Sequence, residues 1–299
     1  MPNLKLLKSR IKSAGSTKKI TKAMQMVAAA KLKKAQNAAQ SANPYAITIK
    51  STLLELSKNA DDKFLLPELL TGRDSQNKTH LLIIISSDRG LCGPLNFNLF
   101  KHARNVIKDL QEKGQNVKII LIGKKARETL YNQYKDFVTD VIEGMSKRDI
   151  DFKQVEDIMS NIIDKFDDKQ FDNCSIIYNK FISAISQEPS INTIIPASFD
   201  QGDENEIESD NEKMECIYEY EPDFRQILNA ILPRYFNMQL YYTLLENFAS
   251  EQGARMAAMD SASRNAGEMI KDLTLVYNRT RQSVITKELI EIISGAESI

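Results

Sequence analysis

Tryptophan is absent from the chain's 299 residues, histidine occurs twice, cysteine three times and proline eight times. Each scarcity excludes something. Cys92, Cys174 and Cys216 are odd in number and scattered, which argues against a disulfide framework and suits a reducing compartment. Neither a CxxC pair nor a His/Cys cluster occurs, and His80 and His102 stand apart from any acid and nucleophile pairing, so a zinc site and a catalytic triad are not expected. No wholly apolar run is longer than that from Leu81 to Ile85, which is far short of the roughly 20 residues that cross a bilayer. Acid is missing from one end: the first acidic residue is Glu55, preceded only by Lys and Arg among the charged residues.

What is present is balanced in sum and uneven in place. Forty Lys and Arg offset forty Asp and Glu, so net charge selects no partner. Between Asp200 and Asp223 the imbalance of the N-terminus is reversed, and that stretch is expected to be a solvated acidic loop. A hydrophobic content of 42% supplies the core of one large domain or two modest ones. The Lys-rich start runs without a break into a helical pattern, so it is taken as mature structure, not as a transit peptide.

Alternating steps of three and four from the N-terminus meet Leu4, Leu7, Ile11 and Ala14, then the polar Lys18, Thr21 and Gln25, then Ala28, Leu32, Ala35, Ala39, Ala42, Ala46, Ile49, Leu53 and Leu56. This is a heptad seam. At its polar positions Ile20, Met24 and Val27 carry apolar character one position over, which predicts a shift of the pairing surface. Gly15 and Pro44 are its weak points. The C-terminal segment repeats the pattern from Leu228 through Met259, Ser263, Ala266, Ile270, Leu273, Tyr277 and Thr280 to Val284, with a helix start near Pro222 and Asp223 and a kink expected at Pro233. Rods of roughly 80 to 100 Å, at about 1.5 Å per residue, need a partner along their length.

Between the two segments the grammar changes. His80–Ser87, Val117–Gly123, Cys174–Phe181 and Ile191–Pro196 are expected strands, and Asn96–Lys113, Lys124–Tyr134 and Asp151–Phe166 are expected helices between them. Such alternation predicts a parallel-type sheet covered by helices. The expected fold is therefore mixed α+β and α/β: a long antiparallel two-helix coiled coil formed by the N- and C-terminal helices, with an inserted Rossmann-like α/β domain. Residues 1–58 with 222–299 would make the coil and 75–200 the inserted domain, joined by linkers 59–74 and 201–221.

Candidate chemistry is thin. A strand followed by Ser87-Asp88-Arg89-Gly90-Leu91-Cys92-Gly93 and a helix could cradle a phosphate on backbone amides. There is no GK[ST] and no GxGxxG, and glycines that shape a turn explain the same residues. A lone thiol such as Cys92 is more often packing than nucleophile. Glu288 and Glu291, three apart on a helix, fit a solvated face better than a metal site. The basic N-terminus would suit a nucleic acid, but no aromatic residue for base stacking occurs in the first forty positions, and an anionic protein partner accounts for the charge equally well.

Three blocks then carry a resemblance over essentially the whole chain. Ile20-Thr21-Lys22-Ala23-Met24-Gln25-Met26-Val27-Ala28-Ala29-Ala30-Lys31, the Ser87–Gly93 turn, and Ser250-Glu251-Gln252-Gly253-Ala254-Arg255-Met256 with Asn278-Arg279-Thr280-Arg281-Gln282-Ser283-Val284-Ile285-Thr286-Lys287-Glu288 resemble, in order, the hallmarks of F-type ATP synthase gamma subunits. The resemblance implies a central-stalk rotor: paired helices forming an asymmetric shaft inside a ring of alpha and beta subunits that owns the catalytic sites. It implies no catalysis, cofactor or metal in this chain. The partners it implies are alpha and beta, a small epsilon-type subunit and the membrane ring of c subunits, with no nucleic acid and only indirect membrane contact. Lys22 and Met24 would face the mobile lever segments of beta, and Arg281, Gln282 and Thr286 would meet a beta loop. The end from Ile292 to Ile299 would sit in an apolar bearing, from which Glu297 departs; Pro94 departs from the family's small residue after the glycine. The implied location is the cytoplasmic face of a bacterial inner membrane, the mitochondrial matrix face being the alternative.

Overall fold

The structure, a computed structural model, describes residues 3–58, 67–73, 78–145, 150–197 and 224–297. Cys216 and the acidic stretch from Asp200 to Asp223 lie outside the described residues, as do 59–66 and 74 of the first expected linker and the whole of the second. The elements run α1 (Leu4–Lys58), α2 (Glu68–Thr71), β1 (Thr79–Ile85), α3 (Leu95–Glu112), β2 (Asn116–Ile122), α4 (Lys124–Leu130), β3 (Val138–Ile142), α5 (Phe152–Asp167), β4 (Asn173–Phe181), β5 (Gln187–Ile195) and α6 (Phe224–Glu297). They fall into two compact units, one made of Lys31–Ala254 and the other of Met1–Ala30 with Arg255–Ile299.

In the larger unit the strands form one sheet in the order β3-β2-β1-β4-β5. The first four are parallel, and β5 returns antiparallel to β4. Strands buried on both faces must be apolar throughout, and β1 is: every residue from His80 to Ile85 is buried. One face packs on α3 and α4 through Leu82, Ile84, Leu99, Ala103, Leu121 and Leu130. The other is covered by α5 and by the parts of α1 and α6 that belong to this unit, with Leu53, Ile83, Met159, Phe166, Ile176, Leu232 and Phe236 at its centre. Between Tyr235 and Ala254, α6 is buried on almost every side, the pattern of a helix enclosed by core. Within the stretch 59–74, Leu70 is buried in the same core and the Arg73 guanidinium lies 4.0 Å from the Phe166 ring centroid while donating to the Phe166 carbonyl.

Two strands differ from expectation. β3 was not foreseen: it is a half-buried edge strand of five residues whose Thr139 and Asp140 dilute the apolar signal. β5 starts at Gln187, four residues before the expected Ile191, because the polar Gln187–Ser190 pairs with Tyr178–Phe181 across the hairpin. Pro189 is tolerated there because β5 is an edge strand.

In the smaller unit α1 and α6 pair antiparallel. Gln25 Nε2 donates to Asp260 Oδ1 at 3.0 Å, and Gly267 lets the Lys18 ammonium lie 3.3 Å from where a β-carbon would stand. Leu7, Ala14, Thr21 and Ala28 of α1 are buried, one every seventh residue. On α6 burial steps by fours and threes through Met259, Ser263 and Ala266, then continues half-buried through Ile270, Leu273, Tyr277, Thr280 and Val284. The expected shift of the seam does not occur. Ile20 and Val27 are 60% and 57% exposed, whereas Thr21 is buried and Gln25 bonds across the pair. Thr21 keeps the seam with its hydroxyl on the Lys18 carbonyl of its own helix, and Gln25 keeps it through Asp260 across the pair. Gly15, Pro44 and Pro233 all lie inside continuous helices.

The turns at the strand ends are tight. Gly123 has φ +98, and a β-carbon there would lie 2.3 Å from the Ser86 carbonyl oxygen. Gly123→Ala is expected to destabilise the sheet unit by about 2 to 4 kcal/mol, checked by urea unfolding. Burial pushes the imidazole of His80 from its ordinary 6.5 down to about 4, and its Nε2 lies 2.9 Å from Ser175 Oγ. The folded protein therefore keeps His80 neutral where the unfolded chain protonates it, so stability is lost as pH falls from 6.5 towards about 4, by up to about 3 kcal/mol. His80→Gln should flatten that part of the acid limb in urea midpoints measured across the window.

Candidate functional site

The residues singled out from sequence occupy two bands on the paired helices. Lys22 is exposed and Met24 half-buried on α1; Arg281, Gln282 and Thr286 are exposed on α6. The antiparallel register brings the start of α1 level with the second band. At about 1.5 Å per residue, the two bands are separated by about 27 Å along the pair. They are not one site.

The first band is wired into its neighbours. Lys22 Nζ donates to Gln25 Oε1 at 3.0 Å, Gln25 donates onward to Asp260 Oδ1, and Arg264 meets the other oxygen of Asp260 at 3.2 Å. Asp260 thus receives one helix through an amide and the other through a guanidinium. Nothing local marks Gln25 and Asp260 as partners, since they are 235 positions apart. The second band has no such wiring: among the described residues Arg281, Gln282 and Thr286 carry no side-chain hydrogen bond or ion pair.

Around these bands lie apolar side chains directed outward. Ile20, Met26 and Val27 on α1, and Met269, Leu275 and Val276 on α6, are all 46% exposed or more. A groove of about 680 Å³ runs between the helices, lined by Arg10, Ala14, Thr17, Ala266, Met269 and Leu273 among others. Heptad counting runs through Thr21 and Gln25, and the apolar character one position over points to a seam shifted onto Ile20 and Val27; in the pair both face outward. Past Val284 every described side chain as far as Ser294 is exposed, with Leu289, Ile290, Ile292 and Ile293 between 53% and 70%. Side chains from Gly295 onward lie outside the described residues.

In the sheet unit the Ser87–Gly93 turn has closed on its own groups. The helix that the turn leads into is α3, whose Leu95 N–H meets the Cys92 carbonyl at 3.4 Å; on the neighbouring α4, Lys124 N–H donates to Asp88 Oδ1, Lys125 N–H to the Ser87 carbonyl, and Ala126 N–H to Ser86 Oγ, at 3.0, 3.1 and 2.8 Å. Asp88 Oδ1 also accepts from Gly144 N–H at 3.1 Å, which ties the ends of β1, β2 and β3 together. Asn96 donates to Ser87 Oγ at 2.7 Å and to Cys92 Sγ at 3.3 Å. Leu91 holds a left-handed φ of 63° with its side chain exposed. Pro94 precedes α3, where its missing N–H costs nothing.

Cys92 and Cys174 are buried and unbridged, and desolvation raises the Cys174 thiol well above its ordinary range. His102 lies on α3 and is remote in sequence from His80 on β1. Glu291 faces Lys287 one turn away at 3.6 Å. Among the described residues no three His, Cys, Asp or Glu side chains are grouped to hold a metal ion, and no helix is long and apolar enough to cross a membrane.

A family model described as ATP synthase matches residues 3–299. The ATP synthase gamma chains of Methylobacterium nodulans and Paracoccus denitrificans are each 46% identical over 299 residues, covering all of both chains, and that of Dinoroseobacter shibae is 48% identical over 300. Among solved structures, a chain of the Euglena gracilis mitochondrial ATP synthase shares the fold with a TM-score of 0.64 at 19% identity, covering 99% of this chain and 94% of that one. A chain of the Tetrahymena thermophila mitochondrial ATP synthase central stalk and c-ring matches with a TM-score of 0.57 at 24% identity, covering 82% and 99%. With all three sequence blocks in place on the fold and its relatives matching end to end, the chain belongs to the gamma chains of the ATP synthase family.

Proposed function

We propose that the chain is the central-stalk rotor of a proton-translocating ATP synthase, coupling proton-driven rotation to conformational change at catalytic sites carried by alpha and beta subunits, and catalysing nothing itself. The antiparallel helix pair of residues 4–30 and 255–297 carries this reading. Two helices that bury a common seam and leave unlike side chains around it present a different surface in each direction. A surrounding ring that meets Ile20 and Val27 on one side and Met269 and Leu275 on another is biased unequally, and rotation moves that bias from site to site. The solved neighbours' titles name a central stalk, a c-ring and F1, and these supply the partners proposed here: alpha and beta around the coil, the c-ring, and an epsilon-type subunit.

In this reading residues 1–58 with 222–299 form the shaft and 75–200 the α/β domain. Lys22 and Met24 face the lever segments of beta, and the exposed Arg281, Gln282 and Thr286 meet a beta loop. A fork of N–H donors and an amide suit a contact that must form and release. The outward-facing Ile292 and Ile293, at the start of the Ile292–Ile299 end, fit the bearing at the ring's far end. The proposed location is peripheral, on the cytoplasmic face of a bacterial inner membrane, in keeping with the bacterial relatives.

A nucleotide-binding reading of the Ser87–Gly93 turn sets phosphate beside the Asp88 carboxylate, which already accepts from the Lys124 and Gly144 N–H groups, and two anions side by side repel. Calorimetry of the isolated chain with ATP and ADP is expected to give no saturable heat; a stoichiometric isotherm would restore that reading. Arg281→Ala with Gln282→Ala should lower coupled ATP turnover of the assembled complex at least about tenfold while shifting the isolated chain's unfolding by less than about 0.5 kcal/mol, the norm for exposed sites. Equal loss of folding and turnover would assign those residues to stability instead.

A further inference from the structure

The pairing of β4 with β1 stops at Ile177, and two residues later Asn179 stands opposite Pro189 of β5, which has no N–H to donate. Asn179 turns its polar groups to α6 instead. Its backbone N–H and its side-chain Nδ2 both donate to Asn247 Oδ1, at 3.2 and 3.1 Å, and its carbonyl accepts from Ser250 Oγ at 2.8 Å. All three residues are at most 2% exposed. One turn further on, Gly253 admits the β4–β5 hairpin so closely that a β-carbon would lie 3.2 Å from the Phe181 ring and 3.4 Å from the Ala184 backbone. Ala254 then packs on Cys92 and Leu95. Asn247, Ser250 and Ala254 are spaced i, i+3, i+7 and make one stripe of the helix.

Apolar burial is non-directional. It resists pulling α6 off the sheet far better than it resists turning α6 about its own axis, because one aliphatic contact can be exchanged for another. Hydrogen bonds weaken steeply once their angle is lost, and buried ones have no water to replace the lost partner. Three such bonds converging on one strand residue, with a glycine contact beyond them, resist rotation and sliding together. We propose that Asn179, Asn247 and Ser250, closed by Gly253, form a torsional lock that fixes the rotational phase of α6 on the sheet. The lock rests on the rotor reading for its purpose, not for its existence: an angle imposed on the α/β domain is delivered to the helix instead of being lost at the joint. These are positioning residues, remote from any chemistry.

Thr243 supplies the control, since its buried hydroxyl donates at 2.7 Å to the Gln239 carbonyl of its own helix and bonds nothing on the sheet. Ser250→Ala and Asn247→Ala, singly and together, are compared with Thr243→Ala in two experiments on the full chain. In the isolated chain, amide exchange at Asn179 is expected to rise at least about tenfold in the two variants without Asn247, whose Oδ1 accepts that N–H, and to stay at the wild-type rate in the control. In complexes reconstituted with the alpha and beta ring, stalled by a non-hydrolysable nucleotide, a rod attached through Glu112→Cys reports angular variance. That variance should at least about double in the double variant, as expected when a directional joint is loosened, and stay unchanged in the control. Unchanged variance and Asn179 exchange matching the control, with thermal stability lowered alike in both, would overturn the lock. If the wild-type chain neither assembles nor rotates with the ring, the rotor reading fails, and the exchange measurement still decides the lock. Should the double variant not fold, Asn247→Ala alone carries both readouts, since its Oδ1 is what holds the Asn179 N–H.

Discussion

A helix of 74 residues takes most of its stability from the stripes of it that are covered, because packing of an apolar face outweighs intrinsic propensity. Every other feature of this chain follows from how α6 meets that demand. In the sheet unit it is enclosed by core on nearly all sides. In the coil unit it shares a single seam with α1 and leaves the rest of its circumference to solvent. One continuous helix thus passes from complete enclosure to a single buried stripe to none, and its side-chain chemistry changes accordingly. Tyr235, Phe236 and Leu240 give way to Ala, Met and Ser, and then to exposed Ile and Leu alternating with charge.

The sheet has the layered outline of a ligand-binding α/β domain, and the ends of its strands are fastened from within. Parallel strands, helices on both faces and a glycine-shaped turn at the strand ends are the arrangement in which α/β proteins place ligands. Here a carboxylate, a hydroxyl and a carbonyl satisfy the first amides of α4, and the same carboxylate fastens β3 through Gly144. That one carboxylate holds the ends of three strands. The residues look alike in sequence because the turn needs the same small and polar residues for either purpose.

What could be read in advance was what repeats. The seven-residue spacing of Leu7, Ala14, Ala28 and Ala35 announced a paired helix, and the apolar runs around Leu82, Ile120 and Ile176 announced buried strands, because burial on a periodic element leaves a periodic trace. Single long-range pairings leave none. Thr21 and Gln25 looked like interruptions of the seam until Asp260 appeared opposite, and Ile20 and Val27 looked like its continuation for the same reason. β3 was missed because an edge strand is covered on too few sides to need an apolar run. Asn179, Asn247 and Ser250 are unremarkable polar residues until a strand and a helix 68 and 71 positions apart are brought into register.

The exposed aliphatic end of α6 bears on the chain before it meets any partner. Leu289, Ile290, Ile292 and Ile293 lie beyond the reach of α1, so a newly made copy offers them to whatever apolar surface is nearest. Solitary copies are therefore the sticky form, and their safe lifetime is set by how soon a receiving surface arrives. A cell that makes this polypeptide in excess of that surface invites clumping, which ties its useful yield to stoichiometric synthesis.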